Sequence, residues 1–311
     1  MTSKVPILIP RGPSLDLAIR YLRNNSYEES RYSNFGPLVR KLEERVAARY
    51  RVDPAQVVTA SNATTGLTLA LMSSDKTLAQ LPDFSFVATL SAARAAGKTT
   101  EFRDVSASSW LIEMNPPGRS GDILVPVMPF GAWNQELLDN QQTSMVIDAA
   151  ASFGLERDLS ALDDNKSIVF SLHATKVLGS GEGGVCIFGT EDWATEARSM
   201  SNFGMDQHRS IKNVGINGKM SEFQAAFCLA AMDESELEMS YWHDAMDLAR
   251  EASRGLGLEL SPQAFDVPAP YWIVKINEDA ASPGELVAFF LSRGVEVRSR
   301  SPLTCGTFRG L

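Results

Sequence analysis

The chain has 311 residues, of which 44% are hydrophobic and 22% charged, a composition typical of a globular enzyme or binding protein. Its formal net charge of -9 argues against nucleic acid or an anionic membrane as a partner. No apolar run reaches the length of a membrane span, and the N-terminus lacks the apolar core of a signal peptide. Three scattered cysteines fit a reducing compartment, and the three histidines lack metal-ligand spacing, so we predict a cytoplasmic protein without a metal site.

Short β-like runs alternate with helical patterns from the first predicted helix, which begins at Gly36-Pro37, to about residue 190. Further helices are predicted at 65–72 and 86–96. The predicted strands are 57–60, 101–105, 123–127, 145–148, 168–172 and 185–188. Such alternation indicates an α/β fold with a largely parallel sheet.

The pattern changes after residue 220. Residues 220–256 are helical almost throughout, and a strand at 271–276, a helix at 283–293 and a strand at 295–297 follow. This C-terminal part is typical of a small α+β domain. We therefore divide the chain into a large domain, residues 1–240, and a small C-terminal domain, residues 241–311.

Two charged residues follow β-like runs and suggest a common chemistry. Lys176 lies between the run 167–172 and a glycine-dense turn at 179–184, and Asp148 closes the run 145–148. Taken singly, such residues are usually a solvated charge and a cap or turn residue. Together they also match the needs of pyridoxal phosphate (PLP), which requires a lysine for a Schiff base and a carboxylate for its pyridinium nitrogen.

Other segments lie where ligands often bind. Ser61-Asn-Ala-Thr64 separates a strand from a helix, where N–H groups and hydroxyls suit a phosphate, although an ordinary N-cap has the same pattern. Residues 179–184 satisfy G-x-G-x-x-G, but a strand follows them, which favours a flexible turn beside a ligand over a dinucleotide site. Phe86 could stack on a flat cofactor ring, whereas core packing is favoured for Phe84. Asn217 lies in a loop that also suits a simple turn residue.

The order of these motifs resembles the DegT/StrS-type nucleotide-sugar aminotransferases, which are fold-type-I PLP-dependent enzymes. The resemblance covers roughly residues 5–232, and it implies a PLP-binding large domain with a mostly parallel sheet. The motifs that carry it are Asn34-Phe-Gly-Pro37, Ser61-Asn-Ala-Thr64, Phe84-Ser-Phe-Val-Ala-Thr89, Val146-Ile-Asp-Ala-Ala150, Ser171-Leu-His-Ala-Thr-Lys176, Gly181-Glu-Gly-Gly184, Ser201-Asn-Phe-Gly204, and Gly215-Ile-Asn217 with Met220-Ser-Glu-Phe-Gln-Ala-Ala226.

The resemblance implies a role for each matching residue. Lys176 looks like the Schiff-base lysine that also shuttles a proton, and Asp148 looks like the partner of the pyridine nitrogen. Relatives that dehydrate the sugar carry histidine at the lysine position, so Lys176 favours transamination. The residues implied to bind the cofactor's phosphate or ring are Ala63, Thr64, Phe86 and Ser171. Asn217 resembles an asparagine that reaches the phosphate of the neighbouring subunit, which implies a homodimer with shared active sites.

The chain also departs from the family pattern. Ala151 stands where the family often has glutamine, and Met128 where histidine is frequent. The chain ends at Leu311, short of the usual family length, which implies a shortened small domain. Two functions stay open. One is an aminotransferase that moves an amino group, expected from glutamate, to a nucleotide-linked keto-sugar. The other is an impaired or non-enzymatic homologue that binds PLP or a sugar nucleotide.

Overall fold

A seven-stranded sheet forms the centre of the structure, a computed structural model that describes residues 5–26, 32–114, 119, 121–154, 157–256, 259–260, 273–275 and 282–298. The strand order is β1-β7-β6-β5-β4-β2-β3. All neighbouring strands are parallel except at β7, which is antiparallel to both β1 and β6. The strands are β1 (Val57–Ala60), β2 (Leu78–Pro82), β3 (Thr99–Arg103), β4 (Asp122–Leu124), β5 (Met145–Asp148), β6 (Lys166–Ser171) and β7 (Gly184–Phe188).

Helices cover both faces of this sheet. In chain order, the described α-helices are α1 (Leu15–Tyr21), α2 (Pro37–Tyr50), α3 (Ala63–Met72), α4 (Val87–Ala95), α5 (Gln135–Asp139), α6 (Glu191–Met200), α7 (Glu222–Asp233), α8 (Ser235–Leu256) and α9 (Pro283–Ser292). A small antiparallel pair, β8 (Glu259–Leu260) and β9 (Val274–Lys275), lies between α8 and α9. None of the described helices combines the length and apolar character that crossing a bilayer requires.

Two hydrophobic cores lie on opposite faces of the sheet because successive strand residues point to opposite sides. Ile147 and Ile168 pack with helices α2 and α7 on one face. Val146 and Val169 pack with helices α3, α4 and α6 on the other. The central strands are therefore buried on both faces, which explains why they are continuous apolar runs in the sequence.

The predicted α/β fold with a largely parallel sheet is confirmed, and the strands at 57–60 and 145–148 have the predicted bounds. The sequence did not predict β2, whose apolar run is interrupted by Gln80 and ends in Pro82. The predicted continuous helix is divided at Glu234 into α7 and α8. The predicted strand at 295–297 was wrong, since Val295 forms only an isolated bridge with Val5.

The C-terminal predictions are only partly covered by the structure. Of the predicted strand at 271–276, Val274–Lys275 is a strand, while residues 271, 272 and 276 lie outside the described residues. Helix α8 continues through residue 240, where we divided the chain. The division into domains stays a prediction.

An ion pair between a buried carboxylate, Glu43, and a partly buried arginine, Arg198, secures the edge strand β1. Glu43 on α2 accepts hydrogen bonds from the Thr59 N–H at 2.9 Å and from the Arg198 guanidinium at 2.8 Å. Arg198 also donates to the Val57 carbonyl at 2.6 Å. Burial raises the pKa of Glu43, and Arg198 opposes that shift. Because β1 leads directly into Ser61, this pair also supports the loop that follows the strand.

Replacing Arg198 by leucine is expected to destabilise the protein by about 3–5 kcal/mol, because it leaves the Glu43 carboxylate buried and unpaired. The matched control is Arg51→Leu, which removes an exposed ion pair with Asp158 and is expected to cost about 0–1 kcal/mol. Urea unfolding of the cofactor-free variants measures both values. Equal losses in the two variants would contradict the assigned role of the buried pair.

Candidate active site

The predicted site residues converge on one edge of the sheet. Strands β1, β5 and β6 point in the same direction, so the residues that end or follow them meet at their carboxyl ends. Ser61 follows β1, Asp148 ends β5 and Ser171 ends β6. The antiparallel strand β7 begins at the same edge with Gly184, which pairs with Ser171. Ligands of open α/β sheets commonly bind at this edge.

Asp148 is a buried carboxylate with a hydrogen-bond donor on each oxygen. Its Oδ2 accepts from the Thr89 hydroxyl at 2.7 Å, and its Oδ1 accepts from the Ala150 N–H at 3.1 Å. Burial raises the pKa of Asp148, whereas these two donors and the charge of Lys176 act in the opposite direction. The side chain is thus fixed in place and held ready for a cationic partner.

Lys176 follows β6 in a tight turn. The Lys176 N–H bonds to the His173 carbonyl at 2.9 Å, and the His173 N–H bonds to the Ser171 hydroxyl oxygen at 3.2 Å. Burial lowers the pKa of Lys176, and the charge of Asp148 counteracts this. A lowered pKa increases the fraction of neutral, nucleophilic amine at neutral pH. The two side chains interact electrostatically without forming a direct ion pair.

The N-terminus of α3 offers free donors to an anion. Asn62 is the N-cap and accepts a hydrogen bond from the Thr65 N–H at 2.9 Å. Within the described part of the chain, the N–H groups of Ala63 and Thr64 have no hydrogen-bond acceptor. Such groups, together with the helix dipole, favour a phosphate. The segment is therefore both an ordinary N-cap, through Asn62, and a site with two unused donors.

Residues from the α7 region hold this loop in place. The Ser61 N–H donates to the Gly218 carbonyl at 2.9 Å, and the Gln224 side chain donates to the Ser61 carbonyl at 2.9 Å. Gln224 also accepts from the Ser221 N–H, which completes a capping box at the start of α7. We did not single out Gln224 from the sequence, although the Ser-x-x-Gln pattern that signals a capping box is present.

The glycine-dense turn brings backbone against the same loop. A Cβ at Gly184 would overlap the backbone carbonyl of Asn62, so β7 can begin here only with glycine. Gly181 has a φ of +106°, a conformation that side chains disfavour. The turn precedes a strand rather than a helix, in agreement with the interpretation that it is not a dinucleotide-binding motif.

The aromatic residues near α4 occupy different environments. Phe86 is the N-cap residue of α4, and the residue is 63% exposed. Its ring is therefore available to stack on a ligand. The ring of Phe84 instead lies 5.6 Å from that of Trp110 and 6.4 Å from that of Phe130. Phe84 packs against these aromatic residues but is only half-buried and lies outside the hydrophobic cores, so the favoured core packing of Phe84 was wrong.

Asn217 lies beside the loop that contains Ser61, but at the surface. Its backbone forms a bridge with Asn202, and its side-chain oxygen accepts a hydrogen bond from Lys219 at 2.9 Å. The next residue, Gly218, is the one that binds Ser61. The structure thus places Asn217 near the other predicted residues, with its side chain exposed.

The donor set fits PLP. A buried carboxylate suits the pyridinium nitrogen, an amine with a lowered pKa suits the aldehyde, and an exposed aromatic ring suits the flat heterocycle. Free N–H groups at a helix N-terminus suit the phosphate. Within the described part of the chain, the Ser171 hydroxyl hydrogen has no acceptor and adds one further donor. All seven predicted site residues lie on the elements and loops of this sheet edge.

Solved structures with the same architecture define the class. The crystal structure of DesI in the presence of its TDP-sugar product has a TM-score of 0.85 and 27% identity, over 100% of this chain and 82% of that one. A protein from Bacillus cereus ATCC 10987 assigned as a PLP-dependent aminotransferase has a TM-score of 0.81 and 25% identity, over 95% and 85% of the two chains. Fold and site together define a PLP-dependent aminotransferase.

A family comparison makes the assignment specific. Residues 18–302 match the model of the DegT/DnrJ/EryC1/StrS aminotransferase family. The chain belongs to this family, and its cofactor is PLP. Among its relatives is the dTDP-4-amino-4,6-dideoxy-D-glucose transaminase of Shigella dysenteriae, which is 28% identical over 247 residues, 74% of this chain and 66% of that enzyme. The predicted family, enzyme class and cofactor are thereby confirmed.

Proposed function

We propose that this chain transfers the amino group of an amino acid, expected to be glutamate, to a nucleotide-linked keto-sugar. The observation that carries the proposal is that buried Asp148 and Lys176 lie close enough to interact electrostatically, at the sheet edge where the free N–H groups of α3 also lie. The substrate class is supported by the relatives, since a dTDP-sugar transaminase and a GDP-perosamine synthase of Escherichia coli O157:H7, 23% identical, both match the chain.

Each site residue has a defined task in this reaction. PLP supplies the electron sink that such chemistry needs. Lys176 would hold the cofactor covalently, and its amine, once free, would accept and return the proton of the substrate Cα. Asp148 holds the proton on the pyridine nitrogen. The phosphate is bound by Ala63, Thr64 and Ser171, and Phe86 covers the ring.

Isotope transfer tests this function directly. The holoenzyme is incubated with ¹⁵N-glutamate and freed of excess donor, and nucleotide-linked 4-keto-sugars are then added. We expect ¹⁵N in the sugar product and release of 2-oxoglutarate in the first step. Bound cofactor that exchanges no nitrogen with any amino acid would contradict the aminotransferase function and favour a binding role.

We further propose that two chains form the active unit. The loop that carries Asn217 exposes several large apolar side chains, whose exposed fractions are 50% for Phe203, 76% for Ile211 and 83% for Val214. Exposed apolar groups around a polar site are typical of a protein interface. Their position supports a homodimer in which Asn217 reaches the phosphate of the neighbouring subunit.

The predicted cytoplasmic location stays a prediction.

Complementation between two defective variants tests the shared site. Lys176→Ala and Asn217→Ala are each expected to be strongly impaired as homodimers. In a random equimolar mixture, half of the dimers are hybrids with one intact site, so activity should recover to about a quarter of wild type. In the control, each variant is mixed only with its own subunits, and no activity should be recovered. A hybrid without recovered activity, or a fully active monomer in sedimentation, would contradict the shared site.

A further inference from the structure

The hydroxyl of Thr89 is a part of the site that the proposed function does not use. Thr89 is fully buried in the first turn of α4, three residues after Phe86. Its hydroxyl donates to Asp148 Oδ2 at 2.7 Å, and its N–H donates to the Phe86 carbonyl at 3.1 Å. One residue therefore connects the carboxylate assigned to the pyridine nitrogen with the residue assigned to cover the ring.

The hydrogen bond from the Thr89 hydroxyl to Asp148 is of a strong, charge-assisted type. An O–H···O⁻ hydrogen bond to an ionised carboxylate is short and about twice as strong as a neutral one. Few other groups stabilise the charge of Asp148, since its remaining partners are the Ala150 N–H, which follows β5, and the charge of Lys176, which follows β6. Burial raises the pKa of Asp148, so losing one of the opposing groups would raise it further.

We propose that Thr89 is a positioning residue, which orients the Asp148 carboxylate and keeps it ionised for the pyridine nitrogen while fixing the first turn of α4 beside it. This role rests on the proposed function. It acts through Asp148, so it affects the protonation of the bound cofactor and not only the stability of the helix.

Three substitutions separate the hydroxyl from the packing of Thr89. Thr89→Val keeps the shape and removes the hydroxyl, Thr89→Ser keeps the hydroxyl and removes the methyl group, and Thr89→Ala removes both. If Thr89 has a positioning role, Thr89→Ser should have the ¹⁵N shift and kcat of the wild type, and Thr89→Val should have those of Thr89→Ala. If Thr89 contributes only packing, Thr89→Val should instead behave like the wild type, and Thr89→Ser should behave like Thr89→Ala.

The readout is the ¹⁵N chemical shift of the pyridine nitrogen in holoenzyme reconstituted with ¹⁵N-labelled PLP, followed from pH 5 to 9 together with kcat and KM. In Thr89→Val the shift should move toward that of a neutral nitrogen. The acid limb of the pH profile should move to higher pH, because a carboxylate with a raised pKa is protonated earlier as the pH falls. We expect kcat to fall roughly 10- to 100-fold, as for a lost hydrogen bond to a charged group, with a smaller change in KM.

The outcomes are distinct. Recovery of the wild-type ¹⁵N shift and kcat by Thr89→Ser, but not by Thr89→Val or Thr89→Ala, supports the role. A wild-type ¹⁵N shift and kcat in Thr89→Val would overturn it and leave the proposed function intact. If the Thr89→Val variant does not fold, the comparison of Thr89→Ser with Thr89→Ala tests the positioning role. Equal ¹⁵N shifts in these two variants would overturn it. A wild-type protein that holds no PLP would overturn both the role and the proposed function.

Discussion

Replacing Lys176 by alanine is expected to abolish turnover while leaving part of the cofactor binding intact. The proposed function gives Lys176 two tasks, covalent attachment and proton transfer, and a positioned acid–base group alone accounts for about 10²–10⁴-fold in rate. The free N–H groups of Ala63 and Thr64, which are the proposed phosphate donors, and the charge of Asp148 remain in the variant. Steady-state kinetics measure the loss, and equilibrium dialysis measures the retained noncovalent affinity.

The matched control for this experiment is Lys41→Ala. Lys41 is an exposed lysine on α2, away from the site residues and from the loop that carries Asn217, and its ammonium lies 5.1 Å from the centroid of the Tyr21 ring. Its removal is expected to leave kcat within about twofold of wild type, as for most surface substitutions. Measurable turnover in Lys176→Ala at a tenth of the wild-type rate would show that another residue performs the chemistry.

Replacing Asp148 by asparagine is expected to reduce kcat by roughly 10²–10⁴-fold, the loss of several kcal/mol of transition-state stabilisation. The amide keeps the shape of the carboxylate but has one acceptor oxygen for the two donors, Thr89 and Ala150, that now bind both oxygens. The substitution also removes the negative charge that, in the proposed function, holds a proton on the pyridine nitrogen. Cofactor affinity should fall less than kcat.

Asp122→Asn provides the comparison for this change. Asp122 is a partly buried carboxylate at the start of β4, bonded to the Gln80 side chain at 2.7 Å and to Arg119 at 2.9 Å. It lies at the opposite edge of the sheet, so its amide variant should retain wild-type kcat. Wild-type kcat in Asp148→Asn as well would show that Asp148 does not pair with the cofactor.

Much of the candidate site could be predicted from the sequence because it is built from local patterns. Asp148 and Ser171 end apolar strands that are recognisable as such, and Ala63 and Thr64 follow a cap residue at a helix start. The parallel order of the strands then brings these residues to one edge. The family motifs added the assignment of Asn217, which no local pattern distinguishes from a turn residue, and they supported the stacking role already considered for Phe86.

Contacts between segments distant in sequence could not be predicted. Thr89 is 59 residues from Asp148, and Gln224 is 163 residues from Ser61, and both bonds depend on how separate helices pack on the sheet. Strand β2 was missed because Gln80 and Pro82 weaken its apolar pattern, while its burial comes from both neighbouring strands. Tertiary packing decides such elements.

Several lysines compete as the residue that holds PLP, because burial lowers the pKa of Lys98, Lys166 and Lys219 as well as that of Lys176. Lys166 is fully buried at the start of β6 and donates to the Leu138 carbonyl at 2.7 Å. Of these four, only Lys176 interacts with Asp148. Position at the site, rather than a lowered pKa, therefore selects it.

The most direct test of this account is borohydride reduction of the holoenzyme, followed by proteolysis and mass spectrometry of the peptides. Reduction makes the bond between the lysine and PLP permanent. We predict a phosphopyridoxyl group on Lys176, in the peptide that contains Ser171-Leu-His-Ala-Thr-Lys176, and its absence from that peptide in Lys176→Ala. A label on Lys166, Lys219 or any other lysine of the wild-type enzyme would contradict the account.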